Sequence, residues 1–169
     1  MTEVTTREQA DLLETLDKHR FFLRHTVRDL SDDQTRQRTT ASALTLGGLI
    51  KHVTATERLW ARFISEGPSA MGNAGSDVAA YASTFEPTEQ ETIDLLLERY
   101  AETAAATEEL VRSLPDLDAS HPLPEAPWFA PGAAWSARRV LLHIIAETAQ
   151  HAGHADIIRE SLDGAKTMG

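Results

Sequence analysis

Three imidazoles and a carboxylate recur along one stretch of this 169-residue chain: His143, Glu147, His151 and His154. On a helix, Glu147 lies about 40° round from His143, His151 about 80° and His154 about 20°, so all four share one narrow face. The flanking Leu141, Leu142, Ile144, Ile145, Ile157 and Ile158 make the segment largely apolar elsewhere. Unpaired polar groups buried in such a setting cost several kcal/mol, so the stripe needs partners. A divalent cation is a partner that imidazole and carboxylate share. One ion cannot take all four, because His143 and His154 stand roughly 16 Å apart along a helix axis. The pairs able to converge are His143/Glu147, Glu147/His151 and His151/His154. A third ligand must come from another segment, and His52, on the side of its own helix that carries Leu49, Trp60 and Phe63, is the natural candidate. Two imidazoles and one carboxylate suit Zn²⁺, with Ni²⁺, Fe²⁺ or Mn²⁺ as alternatives, and leave a coordination position open. Taken singly, each feature has a plainer meaning: His52 as a satisfied core histidine, Glu147 and His151 as a solvated i,i+4 pair. His19, His25 and His121 have no comparable setting and read as surface or loop residues, and Trp60, Trp128 and Trp135 as core.

Four helices have to carry these residues. The first spans about 6–30, with Leu12, Leu13, Leu16, Leu23, Val27 and Leu30 at helical spacing. Ser31-Asp32-Asp33 interrupts it with a turn composition that can start a short extra helical turn. The second spans about 45–65 and stops at Gly67-Pro68; Gly47-Gly48 near its start permits close approach of a neighbouring helix or a ligand. The third begins at Thr88, where Thr88-Glu89-Gln90-Glu91 has the form of a capping box, and runs to about Leu114. The last starts from Ser136 as N-cap and runs to about Leu162, before Gly164. The connections 67–87 and 115–134 exceed the usual two to eight residues between bundle helices; the first is either mobile or a cover. With no strand signal, the expectation is an all-α four-helix bundle forming one domain over 1–169, without assured up-down-up-down order.

Bulk properties narrow the function classes. The net charge of -10 and the scatter of basic residues argue against nucleic acid as a partner. The absence of cysteine excludes disulfides, Cys-ligated zinc and a cysteine nucleophile. No stretch approaches the roughly 18 apolar residues of a membrane span, and the polar, acidic start is unlike a signal peptide, so a cytoplasmic location is expected.

The sequence resembles the DinB-like superfamily, in the branch that includes mycothiol-dependent maleylpyruvate isomerase and small actinobacterial proteins of unassigned function. The matching stretches are Leu16-Asp17-Lys18-His19-Arg20; Leu46-Gly47-Gly48-Leu49-Ile50-Lys51-His52 with Glu57 and Trp60; and Glu147 through His151 and His154 to Asp156, Arg159 and Glu160. The resemblance implies a four-helix bundle and selects His52, Glu147 and His151 as the metal ligands. His154 and His143 then become pocket residues that orient a ligand or shuttle a proton. Reading the chain as ending at Gly169 leaves no counterpart of the isomerase's additional C-terminal domain, so maleylpyruvate isomerisation is not carried over.

With no nucleophile of its own in view, the chain is expected to use an external one. The first hypothesis is a thiol-dependent S-transferase or isomerase, in which mycothiol or a similar low-molecular-weight thiol reacts as a metal-bound thiolate with a small, preferably neutral, electrophile; His154 or His143 handles the thiol proton. The second is a hydrolase using metal-bound water. The third is a non-enzymatic metal-binding or stress protein. Relatives of this kind often form homodimers through helix faces.

Overall fold

The computed structural model describes residues 5–72 and 78–167. Four long helices dominate: α1 (Arg7–His25), α3 (Leu46–Glu66), α5 (Ile93–Ser113) and α6 (Ala137–Asp163), with short helices α2 (Asp32–Thr35) and α4 (Val78–Ser83) in the connections. The fold is all-α, apart from one small antiparallel pair, β1 (Ser120–Pro122) with β2 (Ala134–Ser136), in which His121 faces Trp135. That pair corrects the expectation of no strand and places His121 on a strand. The pairing positions lie in a proline-rich stretch too short for an alternating pattern to emerge.

Helix starts follow their capping residues. Thr6 and Gln9 form a reciprocal box at α1, Ser31 and Gln34 another at α2, and Ser136 caps α6. Two boundaries differ from expectation. α1 stops at His25, because Thr26 returns its hydroxyl to the Leu23 carbonyl while the Arg159 guanidinium takes the carbonyls of Thr26 and Arg28. α5 begins at Ile93, capped by Thr92, instead of at Thr88. Glu91 does accept the Thr88 N–H, but its carboxylate also holds Lys51 and Arg99, and Arg36 binds the carbonyls of Pro87, Thr88 and Glu91. These contacts fix 87–91 as a turn, and the Asp32 carboxylate meets the Ile93 N–H at 2.6 Å where the helix starts.

Pairwise contacts set the helix directions. Arg138 at the start of α6 pairs with Glu8 at the start of α1, and Arg159 near its end meets the end of α1, so α1 and α6 run parallel. Gln9 reaches the Val111 carbonyl near the end of α5, making α1 and α5 antiparallel. Lys51 and Glu91 join the starts of α3 and α5 at 2.8 Å. The order is therefore up-down-down-up. After the 21 residues of α3, about 31 Å of helix, the chain must travel back along the bundle before α5 can begin, which accounts for the long 67–87 connection.

The core consists of two apolar clusters. One contains Leu13, Leu16, Trp60, Phe63, Val111, Val140 and Ile144; the other contains Leu23, Leu49, Ile50, Val53, Leu96, Tyr100 and Ile158. A polar belt crosses the bundle between them. At its centre Arg20 and Glu57 form a fully buried ion pair, with Nε 3.2 Å from Oε2 and a second contact through Nη2, while Asp17 takes Nη1 at 2.7 Å. Burial and the Glu57 charge raise the pKa of the Tyr100 hydroxyl beside this pair. Thr148 and His151 continue the belt on α6, so the polar stripe lies where the apolar packing changes hands.

Candidate metal centre

His52, Glu147 and His151 each offer a ligand atom, and those atoms all lie within 4.8 Å of one another. α3 and α6 run antiparallel, which brings the middle of one helix against the middle of the other. Of the pairs left open by spacing, Glu147/His151 joins His52, with His151 Nε2 3.6 Å from Glu147 Oε2. The His52 and His151 rings meet edge to face at 4.9 Å.

The surroundings hold the His52 ring neutral and fixed. Its side chain is buried, and burial, followed by the charge of His151, pushes its pKa down to about 4, against an opposing pull from Glu147. The ring is therefore neutral at physiological pH. Its tautomer follows from a donor count. Thr84 donates its only hydroxyl proton to the Tyr81 carbonyl at 2.6 Å, so the His52 Nδ1–H must donate to Thr84 Oγ1 at 2.8 Å. Nε2 is left as the acceptor, its lone pair met only by a long 3.4 Å contact from the Thr56 hydroxyl. Phe85 stacks flat on the His52 ring at 3.7 Å and Tyr81 meets it edge-on at 5.5 Å. The later half of the 67–87 connection is thus a cover over His52, and its residues 73–77 lie outside the described residues.

Gly48 makes that cover possible. A Cβ there would stand 2.2 Å from the Phe85 carbonyl oxygen, so the close approach is by the covering loop and not by a helix or ligand.

The two remaining histidines flank the cluster differently. His154 Nδ1 is 3.4 Å from His151 Nδ1, placed to orient that ring. His143 Nε2 is 4.0 Å from Glu147 Oε1, and its ring is held edge-on by Trp60 at 4.9 Å and Trp135 at 5.1 Å. Burial lowers the His143 pKa, with Arg139 adding to the shift and Glu147 opposing it. Hydrogen bonding from His151, with the nearby His143 and His52, keeps the Glu147 carboxyl below its usual range despite burial. Glu147 is half-buried, leaving one side of the cluster open to solvent.

Among the other residues weighed from sequence, Trp60 is buried, Trp135 half-buried, and Trp128 is 62% exposed. Trp128 is therefore no core residue: the loop turns Phe129 inward against Trp60 and Trp135 and leaves its neighbour outside. His19 and His25 are half-buried on α1, and His121 packs against Phe63 with Nε2 3.1 Å from the Ile64 carbonyl. Thr84, Phe85 and Tyr81 were not foreseen as site residues. No local pattern marks them, because their role comes from where the connection lands.

An all-α DinB-like fold with a His/Glu/His group able to hold a metal ion is the class that these features define. The family model described as mycothiol S-transferase matches residues 11–164, and the chain belongs to that family. A crystal structure of a conserved protein from Enterococcus faecalis shares the fold, with a TM-score of 0.65 at 15% identity, over 95% of this chain and 99% of that one. No curated protein matches the chain significantly. Family membership implies a small-molecule substrate, and among the described residues no helix is long and apolar enough to cross a membrane.

Proposed function

We propose that this protein transfers a low-molecular-weight thiol of the mycothiol type to a small electrophile at a divalent metal, most simply zinc, held by His52, Glu147 and His151. The carrying observation is the convergence of the three ligand atoms within 4.8 Å, with His52 neutral and its Nε2 unprotonated. The donor set fits: two imidazoles and one carboxylate satisfy a borderline cation and leave room for a thiol. When bound, the metal supplies the Lewis acidity that lowers a thiol's pKa, chemistry that a chain without cysteine has to apply to an external thiol.

The chain's own residues divide the remaining work. Thr84 fixes the His52 tautomer, and His154 orients His151. His143, its pKa lowered by burial and its ring beside Glu147, takes the thiol proton. Trp60 and Trp135 keep that imidazole in place.

Zinc-loaded protein, mycothiol and 1-chloro-2,4-dinitrobenzene, followed chromatographically for the S-conjugate, test this reading. The expected result is conjugation above the uncatalysed rate, lost in His52→Ala and on chelation. No acceleration of thiol transfer, together with metal-dependent ester hydrolysis, would favour the hydrolase reading instead.

A further inference from the structure

Beside the metal centre lies a cavity of about 480 Å³, within the ~300–1,000 Å³ range of small-molecule sites. Leu44, Phe85, Pro87 and Tyr81 give it apolar walls, and Arg38 and Glu86 supply charge. The second guanidinium on the lining, Arg36, is committed to the carbonyls of Pro87, Thr88 and Glu91. Arg38 is exposed and has no hydrogen bond or ion pair among the described residues, so it is the cation free to meet a ligand. Glu86, exposed on the same lining, opposes a second negative charge. Apolar walls, one free guanidinium and one carboxylate match a ring-bearing monoanion and mismatch a dianion.

Phe85 belongs to both sites. It lines the cavity and stacks at 3.7 Å on His52, while Tyr81 lines the cavity and meets His52 edge-on. We propose that this cavity binds a small aryl monocarboxylate, its carboxylate on Arg38 and its ring against Leu44 and Phe85, and that occupancy is coupled to metal affinity through Phe85 and His52. Any such coupling is reciprocal: the factor by which the ligand changes metal affinity is the factor by which metal changes ligand affinity. The ligand site stands without thiol transfer, whereas the coupling rests on His52 as a metal ligand.

The probe is 2-naphthoate, titrated by its own fluorescence into zinc-loaded and metal-free protein. Saturable binding is expected, weakened about fivefold in Arg38→Gln, the weight of one exposed charge pair. It should be abolished in Leu44→Trp, which fills the cavity, and naphthalene-2,6-dicarboxylate should bind more weakly than the monoanion. Zinc affinity, measured by competition with a chromophoric chelator, should change on saturation with naphthoate by the same factor as naphthoate affinity changes with zinc. Absence of saturable binding, or equal binding in wild type and Arg38→Gln, overturns the site. Should Leu44→Trp not fold, Arg38→Gln alone decides. Binding with no mutual effect overturns the coupling. If naphthoate binds and zinc does not bind at all, the metal-centre reading fails while the cavity site stands.

Discussion

Replacing Gly48 with alanine should destabilise the protein and loosen the metal centre together. Gly48 sits in the first turn of α3, where alanine ordinarily gains up to about 1 kcal/mol of helix propensity. Here the added Cβ would stand 2.2 Å from the Phe85 carbonyl oxygen, 3.2 Å from its carbon and 2.9 Å from the capping Thr45 hydroxyl. Backbone has to yield, by about 1 Å to restore an ordinary contact. Overpacking of this kind costs about 1–3 kcal/mol, and the gain in propensity offsets only part of it. A net loss of about 1–2 kcal/mol corresponds to a fall of roughly 3–6 °C in Tm for a chain of this size. The displaced segment carries both the Phe85 ring on His52 and the Thr84 hydroxyl that fixes its tautomer, so metal affinity should fall as well. Gly153→Ala is the matched control: a Cβ there meets nothing within 4 Å, and the helix interior should gain about 1 kcal/mol. Thermal unfolding of both variants without metal, with zinc titrations of Gly48→Ala, makes the comparison. A Gly48→Ala protein that melts higher than wild type, in step with Gly153→Ala, would refute the packing argument.

Other consequences are as direct. Glu57→Gln leaves the buried Arg20 charge only its exposed partner Asp17 and should cost about 3 kcal/mol in denaturant unfolding, whereas Arg20→Met with Glu57→Leu should cost less than the sum of the single changes. Thr84→Val removes the acceptor for the buried His52 Nδ1–H and should lower zinc affinity about 10–100-fold and stability by about 1–3 kcal/mol, as chelator competition and calorimetry would show. His52 titrates near 4 in the folded protein and near 6.5 when unfolded, so the unfolded chain binds more protons between those values. Its contribution to stability is therefore complete above about pH 6.5 and lost as pH falls toward 4; metal-free His52→Gln should show a shallower decline over that window. His143→Gln should reduce the rate of thiol conjugation with metal content intact, whereas His154→Gln should weaken metal binding first.

The four long helices were visible in the chain because their apolar spacing and caps are local, and Ser136 and Gly164 bracket α6 as read. The face shared by Glu147 and His151 follows from helical geometry alone, but only the family resemblance chose that pair over His143/Glu147 or His151/His154. What pairs with what across the bundle was not local. The Thr88 box competes with Thr92, and tertiary contacts from Arg36, Lys51 and Arg99 decide between them. Tyr81, Thr84 and Phe85 lie in a connection without periodicity, and their place over His52 depends on Gly48, whose motif marks a close approach without saying which segment makes it: Gly48 gives the loop room to descend. Trp128 and Trp135 look alike in sequence, yet the loop turns one outward and strand pairing holds the other beside His143.

The most direct test of the metal centre is a cobalt titration of untagged wild type and Glu147→Ala, followed by addition of mycothiol. The account predicts near-stoichiometric Co²⁺ in wild type, a new near-ultraviolet charge-transfer band when the thiol is added, and loss of both in the variant. Equal, negligible cobalt in both proteins would contradict it, and would leave His52, Glu147 and His151 as a structural polar contact between two helices.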